Sequence, residues 1–322
     1  MDRGEVLDSS AVVVVNLNPA IDRVLHVSSW RPGDTVRVER AACYAGGKGT
    51  NVGRALKRLG LPVKTVNLLS GRTGQLWANL LADEGIEGEH IEVPGSQTRI
   101  NVTVCVQEDA SQETHFIDAG PQVPEDVLEK AKRGVEASLA FARCLVLTGS
   151  LPPGLPTGAY GDLAELSGEV PVCLDTSGPP LESAVEKGPW MVKPNKAEAE
   201  SLFHRVLDTK DDLRWAVRRL WELGVRVAAI SLGEEGAVLG WKGELWWGKI
   251  SVDRLVSTVG CGDAFLAGLI SATLQDASTE EVLLQALAAG AASAIREGPG
   301  DIGPPDSLEE ARGMPRVLER WE

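Results

Sequence analysis

Five consecutive residues near the start of the chain, Ala11-Val12-Val13-Val14-Val15, are small or β-branched with no polar break. A strand with one wet face alternates apolar and polar residues, so an unbroken run of this kind marks a strand buried on both faces. Such a strand needs covering layers above and below it. The sequence predicts a helix over 52–59 closed by Gly60 and a strand over 63–69. Further strands are expected at 144–147, 170–174, 191–193 and 225–230, and helices at 75–83, 125–140, 211–223 and 280–295. Strand and helix in alternation imply an α/β fold: a mostly parallel central sheet flanked by helices on both faces, with ligands beyond the C-terminal ends of its strands. Two segments, 26–40 and 100–116, break the alternation with period-2 patterns such as Thr35-Val36-Arg37-Val38-Glu39-Arg40 and no helix between them. They read as antiparallel ribbon, a small β-lid added to the α/β body. The expectation is one domain over 1–322, with the lid drawn from segments near 23–42 and 98–117. The Gly/Pro-rich 298–305 stretch reads as a surface loop before a short C-terminal helix.

The formal net charge of −14 repels phosphate backbones, so neither nucleic acid nor an anionic membrane is an expected partner. A few local Lys and Arg could still bind a phosphorylated metabolite. The five cysteines (Cys43, Cys105, Cys144, Cys173 and Cys261) have no CxxC spacing and are odd in number, which speaks against a disulfide framework or a zinc knuckle. Most sit among aliphatic neighbours and read as buried small residues in a reducing compartment. Met1-Asp2-Arg3-Gly4-Glu5 lacks the character of a signal peptide, and no apolar run approaches the roughly 20 residues that span a bilayer. A cytoplasmic protein is expected.

The chemistry concentrates in a few turns. Thr258-Val259-Gly260-Cys261-Gly262-Asp263 precedes an apolar run of helical period. Backbone amides at such a helix start favour an anion, and Asp263 at its mouth could take a proton from an attacking hydroxyl. It could equally be a glycine-rich turn with Asp263 as a cap. Ala45-Gly46-Gly47-Lys48-Gly49-Thr50-Asn51 opens a helix; its glycines let a ligand reach the backbone, but its register does not fit a P-loop. Asp22, in Asn16-Leu17-Asn18-Pro19-Ala20-Ile21-Asp22, is expected where the first strand ends, as a sugar-hydroxyl ligand or as part of an Asn-Pro turn. Arg99, in Gln97-Thr98-Arg99-Ile100-Asn101, has the fork that matches a phosphate, with Lys48 as its expected partner on the same group; a solvated surface Arg is the commoner case. Asn195 and Glu198, three apart at a helix start, suit a magnesium ion held through water and also spell a capping box. Ser231-Leu232-Gly233-Glu234-Glu235-Gly236-Ala237 is a further strand-end turn, near nucleotide phosphates or an ordinary hairpin link. His26, His90, His115 and His204 have no metal or nucleophile spacing.

In this order, the pieces resemble the PfkB (ribokinase-like) carbohydrate kinases from Val13 to about Ala294. Asn16 to Asp22, Gly46-Gly47-Lys48-Gly49 with Asn51, Thr98-Arg99 with Asn101, and Gly149-Ser150-Leu151-Pro152-Pro153-Gly154-Leu155-Pro156 look like its hexose-phosphate branch, which includes 1-phosphofructokinase and tagatose-6-phosphate kinase. The resemblance implies a ribokinase-like fold with a β-lid, a homodimer formed through that lid, and ATP with Mg²⁺. It implies an enzyme, a phosphotransferase with an alcohol acceptor, that converts a ketohexose phosphate, foremost fructose 1-phosphate to fructose 1,6-bisphosphate. The alternatives are a tagatose-6-phosphate or fructose-6-phosphate kinase, a kinase for an unphosphorylated sugar or nucleoside, or a catalytically silent sugar-phosphate-binding regulator. By the same resemblance Asp263 is the base, and Gly260, Cys261 and Gly262 build the anion hole. Asp22 and Asn51 hold sugar hydroxyls and Lys48 and Arg99 the phosphate already on the substrate, with Gly46, Gly47 and Asn101 also substrate-binding. Asn195 and Glu198 organise magnesium, through water, and the ATP phosphates, with Ser231, Gly233 and Gly236 beside the nucleotide. Cys261 replaces the family's usual Ala, and Ala264 the usual Ser of this branch.

Overall fold

A computed structural model describes residues 11–106 and 113–322; the N-terminal Met1-Asp2-Arg3-Gly4-Glu5 stretch and 107–112 of the second lid segment lie outside the described residues. In chain order the strands are β1 (Ala11–Asn16), β2 (Ala20–Val27), β3 (Arg40–Gly46), β4 (Val63–Leu69), β5 (Glu87–Glu92), β6 (Arg99–Val106), β7 (Glu113–Phe116), β8 (Ala142–Thr148), β9 (Val172–Asp175), β10 (Met191–Val192), β11 (Val227–Ser231), β12 (Ala237–Trp241), β13 (Glu244–Ile250) and β14 (Arg316–Trp321). The helices are α1 (Lys48–Arg58), α2 (Gly71–Asp83), α3 (Glu125–Leu139), α4 (Ala159–Leu166), α5 (Pro179–Val185), α6 (Lys196–Phe203), α7 (Lys210–Glu222), α8 (Cys261–Leu274), α9 (Thr279–Ala294) and α10 (Pro305–Gly313).

The β-branched run is β1, buried at every position. Its side chains divide by parity, as the pleat requires. Val13 and Val15 enter one core with Val127 and Ala131 of α3 and Leu213 and Val217 of α7. Val12 and Val14 enter the other with Val52 and Leu56 of α1, Phe265 and Leu269 of α8 and Val282 of α9. The fold is therefore the expected α/β arrangement, a sheet covered by helices on both faces.

The sheet runs β14-β13-β12-β11-β10-β9-β8-β1-β4-β5. It is parallel from β5 through β11 and antiparallel among β11, β12, β13 and β14. From β1 the chain first builds outward through β4 and β5, then returns to lay β8 on the other side of β1. The crevice beyond β1 and β8 is thus the switch point where an open α/β sheet receives ligands.

A second sheet has the order β3-β2-β6-β7. It is not wholly antiparallel as the period-2 patterns predict, because β2 and β6 run parallel. The alternating positions 35–38 are not strand; β2 and β3 flank them. Asp22 is also displaced from its expected place: β1 ends at Asn16, and Asp22 is the third residue of β2. The antiparallel edge strands β12 to β14, the strand β5 and the short α4 and α5 carry too little period for the sequence to have announced them. α1 and α2 begin four residues earlier than predicted, since their glycine-rich first turns show no apolar stripe. Only Cys144 and Cys173 of the five cysteines are buried; Cys43 is exposed, and Cys105 and Cys261 are partly so. Their aliphatic neighbours indicate strand, not depth. Among the described residues no helix is long and apolar enough to cross a membrane.

Candidate active site

Gly260 precedes the first residue of α8, and its φ of 81° lies in the left-handed region. A Cβ there would stand 2.1 Å from the Gly300 amide nitrogen, so both backbone and space require glycine. The helix therefore begins abruptly. Ala264 N–H donates to Gly260 O at 2.9 Å and Cys261 N–H reaches Thr258 O at 3.4 Å, but the Gly262 and Asp263 amides meet no backbone carbonyl among the described residues. Two N–H groups and the positive end of a 14-residue helix face outward together. Cys261 adds nothing to that face: its thiol donates to Ser257 O at 3.5 Å, and burial pushes it up to about 11.

Asp263, 6% exposed, accepts a hydrogen bond from Asn51 Nδ2 at 2.8 Å. Burial pushes its carboxyl up to about 6; Lys48, Asn51 and Lys193 oppose the rise and Asp175 adds to it. A single backbone stretch supplies Lys48 and Asn51, the first and fourth residues of α1, one helical turn apart. Lys48 Nζ lies 3.6 Å from Asp175 Oδ1 and 4.0 Å from Glu198 Oε1. The Asp175 carboxylate chiefly, then Asp263 and Glu198, hold the Lys48 ammonium protonated well above its usual range. Asp175 ends β9, and Lys193 follows β10. Lys193 Nζ is 3.3 Å from Asp175 Oδ1 and 3.9 Å from where a Cβ on Gly262 would be. Both Asp175 oxygens are buried without a hydrogen-bond partner among the described residues.

The capping box is real. Asn195 Oδ1 accepts from Glu198 N–H at 2.9 Å, and Glu198 Oε2 from Asn195 N–H at 2.8 Å. Ser231 is bridged to Asn195 across the parallel strands, its N–H on Pro194 O at 3.1 Å. The turn after Ser231 is a hairpin link between β11 and β12, with Gly236 against the backbone of Gly248 and Gly233 facing open space.

A second group gathers around Asp22. Its carboxylate accepts from Asn101 Nδ2 at 2.9 Å and from the Gly47 amide, and burial raises its proton affinity despite Arg99 nearby. A Cβ on Gly46 would fall 2.1 Å from Asp22 Oδ2, so the glycine makes room for that carboxylate. Arg99 donates to Asn18 O at 2.7 and 3.1 Å and to Asp118 O at 2.9 Å. Of the two residues expected on the acceptor's phosphate, Lys48 faces Asp175 and Glu198, and Arg99 faces the carbonyls of Asn18 and Asp118. A narrow pocket lined by Asp22, Val24, Ser257, Val259 and Pro299 joins the second sheet to the turn before Asp263. Thr258 Oγ1 also donates to Glu113 of β7 at 3.1 Å.

The sequence did not single out Asp175 or Lys193 as site residues, nor Arg54, whose Nη1 donates to Asn51 Oδ1 at 3.1 Å. Asp175 directly follows the strand expected at 170–174 and Lys193 ends the one expected at 191–193, a placement shared with the other strand-end turns. Arg54 lay inside a predicted helix, where nothing sets it apart from a surface residue.

Residues 9–306 match the family description "pfkB family carbohydrate kinase". The chain is 33% identical to the 1-phosphofructokinase of Escherichia coli (strain K12) over 312 residues, covering 96% of this chain and 98% of that protein. It is 34% identical to the 1-phosphofructokinase of Rhodobacter capsulatus over 304 residues, covering 92% and 94%. Among solved structures, phosphofructokinase-2 from Escherichia coli in complex with fructose-6-phosphate superposes with a TM-score of 0.85 at 26% identity, covering 94% of this chain and 98% of that one.

Proposed function

The chain belongs to the pfkB family of carbohydrate kinases and is a sugar-phosphate kinase that uses ATP, and from this premise we propose that its acceptor is fructose 1-phosphate, converted to fructose 1,6-bisphosphate. One observation carries the reading: a buried carboxyl, Asp263, sits at an open helix N-terminus between an acidic, amide-lined group suited to a sugar and a lysine-rich group suited to phosphates. Asp22, Asn101 and Asn51 hold the sugar hydroxyls, and Arg99 takes the phosphate already on the acceptor. The Asp263 carboxylate accepts the proton of the attacking hydroxyl as its oxygen bonds to the γ-phosphorus of ATP, and ADP leaves with the electrons of the broken P–O bond. The Gly262 and Asp263 amides, with Lys48 and Lys193, stabilise charge on the transferring group. This moves Lys48 from the acceptor's phosphate to the transferred one.

A hydrated Mg²⁺ suits the same end. Asp175 offers a buried carboxylate whose Oδ1 faces Lys48 and Lys193 and whose Oδ2 has no hydrogen-bond partner among the described residues, and Glu198 offers an oxygen beside Lys48. These are the hard donors that magnesium takes, and Asn195 and Glu198 would hold it through water. When bound, the ion neutralises nucleotide phosphate charge. Ser231 and Gly233 lie alongside for the nucleotide.

We read the second sheet as the lid of a single domain and as a homodimer surface, since Phe116 and Ile100 on it are 52% and 43% exposed and Trp30 rests against Phe116. ADP release, measured by a coupled assay with ATP and a panel of acceptors, tests the function. Fructose 1-phosphate should give the highest kcat/KM. Preference for an unphosphorylated sugar, or no ADP release with any acceptor, would overturn the reading. The likeness to phosphofructokinase-2 makes fructose 6-phosphate the second acceptor in that panel.

A further inference from the structure

The Arg54 side chain, 7% exposed, spends all five of its N–H groups. Nε donates to Glu84 Oε2 at 2.6 Å, and Nη2 to Glu84 Oε1 and Ala45 O, both at 2.7 Å. Nη1 donates to Asn51 Oδ1 at 3.1 Å and to Pro299 O at 2.5 Å. One guanidinium thus ties together four segments: α1, the end of β3 that leads into the Gly46-Gly47 turn, the C-terminus of α2, and the loop containing Pro299 and Gly300. That loop packs on the Gly260 turn, where Gly300 leaves no room for a Cβ.

The bond to Asn51 has the larger consequence. A side-chain amide has one donor end and one acceptor end, and either could face Asp263. A guanidinium only donates, and a carboxylate only accepts. With Arg54 on Oδ1, the Nδ2 end of Asn51 must face Asp263, as it does at 2.8 Å. Without Arg54 only the Asp263 carboxylate itself would orient the amide, and the donor would be held on it less firmly.

We propose that Arg54, oriented by Glu84, is a positioning residue for phosphoryl transfer: it holds the Asn51 amide donor on Asp263 and the Pro299–Gly300 loop against the anion-hole turn. The inference rests on the proposed roles of Asp263 and Asn51 and extends them to two residues that touch no substrate. Lysine cannot replace arginine here, since it offers three donors from one point where five are used in a fixed fork.

The test compares Arg54→Lys, Glu84→Gln and Asn51→Ala, and the Arg54→Lys/Asn51→Ala pair, each first shown to be folded by circular dichroism and thermal unfolding. Arg54→Lys keeps the buried charge opposite Glu84, so folding is retained where Arg54→Met could fail; Glu84→Gln leaves the arginine itself intact. The readout is kcat/KM with fructose 1-phosphate as a function of pH. The groups facing Asp263 are Lys48 and Asn51 from α1, Asp175 from β9 and Lys193 after β10, and the first three variants leave the charges among them unaltered. Arg54→Lys should lower kcat/KM by about 10- to 100-fold and move its acidic limb upward by about one pH unit, with Glu84→Gln shifting it less in the same direction. In the Asn51→Ala background, Arg54→Lys should cost several-fold less than it does alone and leave the limb unmoved, because coupled residues are not additive and only the hold on the Pro299–Gly300 loop is left to lose. An unmoved limb, or the same loss with and without Asn51, overturns the positioning role while leaving Asp263 and Asn51 as proposed. If Asn51→Ala itself changes neither turnover nor limb, the site reading fails and the inference falls with it.

Discussion

Asp263 is buried where an ionised carboxylate is poorly solvated, and its proton is held up to about 6. A general base must be ionised, so kcat/KM should fall below about pH 6, and a pH–rate profile with an acidic limb near 4 would contradict the assignment. Asp263→Asn keeps the shape and loses the base; kcat should drop by about 10²–10⁴-fold with acceptor binding mostly retained. The same residue makes a stability prediction of opposite sign. Its folded-state proton affinity is raised above the ordinary 3.8, so the stability it contributes is present below about pH 4 and lost as pH rises through about 6. Asp263→Asn escapes that loss, and urea unfolding should find the variant more stable by up to about 3 kcal/mol at pH 8, the advantage shrinking toward pH 4.5. An advantage that does not change with pH would remove the buried charge as its cause. Arg99 is committed to the carbonyls of Asn18 and Asp118 on the Asp22 side. Arg99→Ala should raise KM for the sugar phosphate at least about tenfold more than KM for ATP, in keeping with a charged hydrogen bond to one substrate only. Equal increases would take the acceptor's phosphate away from it.

At the scale of elements, helix N-termini do two kinds of work here. α7 is capped by Thr209 and α9 by Ser278, away from the residues gathered around Asp263, and those caps only complete their own helices. α6 has a capping box of the same kind built from Asn195 and Glu198, but Glu198 also faces Lys48. Asn195→Ala and Thr209→Ala should each cost about 1 kcal/mol in unfolding free energy. Only the first should raise KM for ATP, and identical kinetics for the two would leave Asn195 a cap and nothing more. The sequence carried both readings of Asn195 and Glu198 forward, and the geometry is compatible with both at once. α8 differs from all three, because no side chain caps it. Gly260 and Gly262 open its first turn instead, leaving amides that an anion can occupy.

At the scale of the molecule, the exposed apolar side chains of the second sheet bear on assembly. Phe116→Asp with Ile100→Asp should shift the protein from dimer to monomer in sedimentation velocity at micromolar concentration, because two buried charges would oppose the contact; an unchanged sedimentation coefficient would place the dimer elsewhere or exclude it. Much of the architecture was legible in advance. The run 11–15, the glycine after α1 and the strand at 63–69 are local signals, because a strand buried on both faces, a helix stop and a period are all written in neighbouring residues. The glycine turns at 46–49 and 260–262 were legible for the same reason. What neighbouring residues do not encode is which turns meet. The order β9-β8-β1-β4 brings Asp175, Lys48 and Asp263 together from positions more than 80 residues apart. The parallel pairing of β2 with β6 sets Asp22 opposite Asn101 and moves it off the end of the first strand. Lys48 stands out in the sequence as a lysine within a glycine turn, but its pairing with Asp175 depended on that sheet order. Arg54 was invisible, since a buried arginine inside a helix looks like an exposed one until its five acceptors arrive from four segments. The sequence by itself determined the covered parallel sheet, its strand-end turns and the candidate residues those turns carry, because these follow from local period and backbone freedom. Only the tertiary structure decided which of those residues face one another, because long-range pairing sets distance, and distance sets every charge and hydrogen bond in the site.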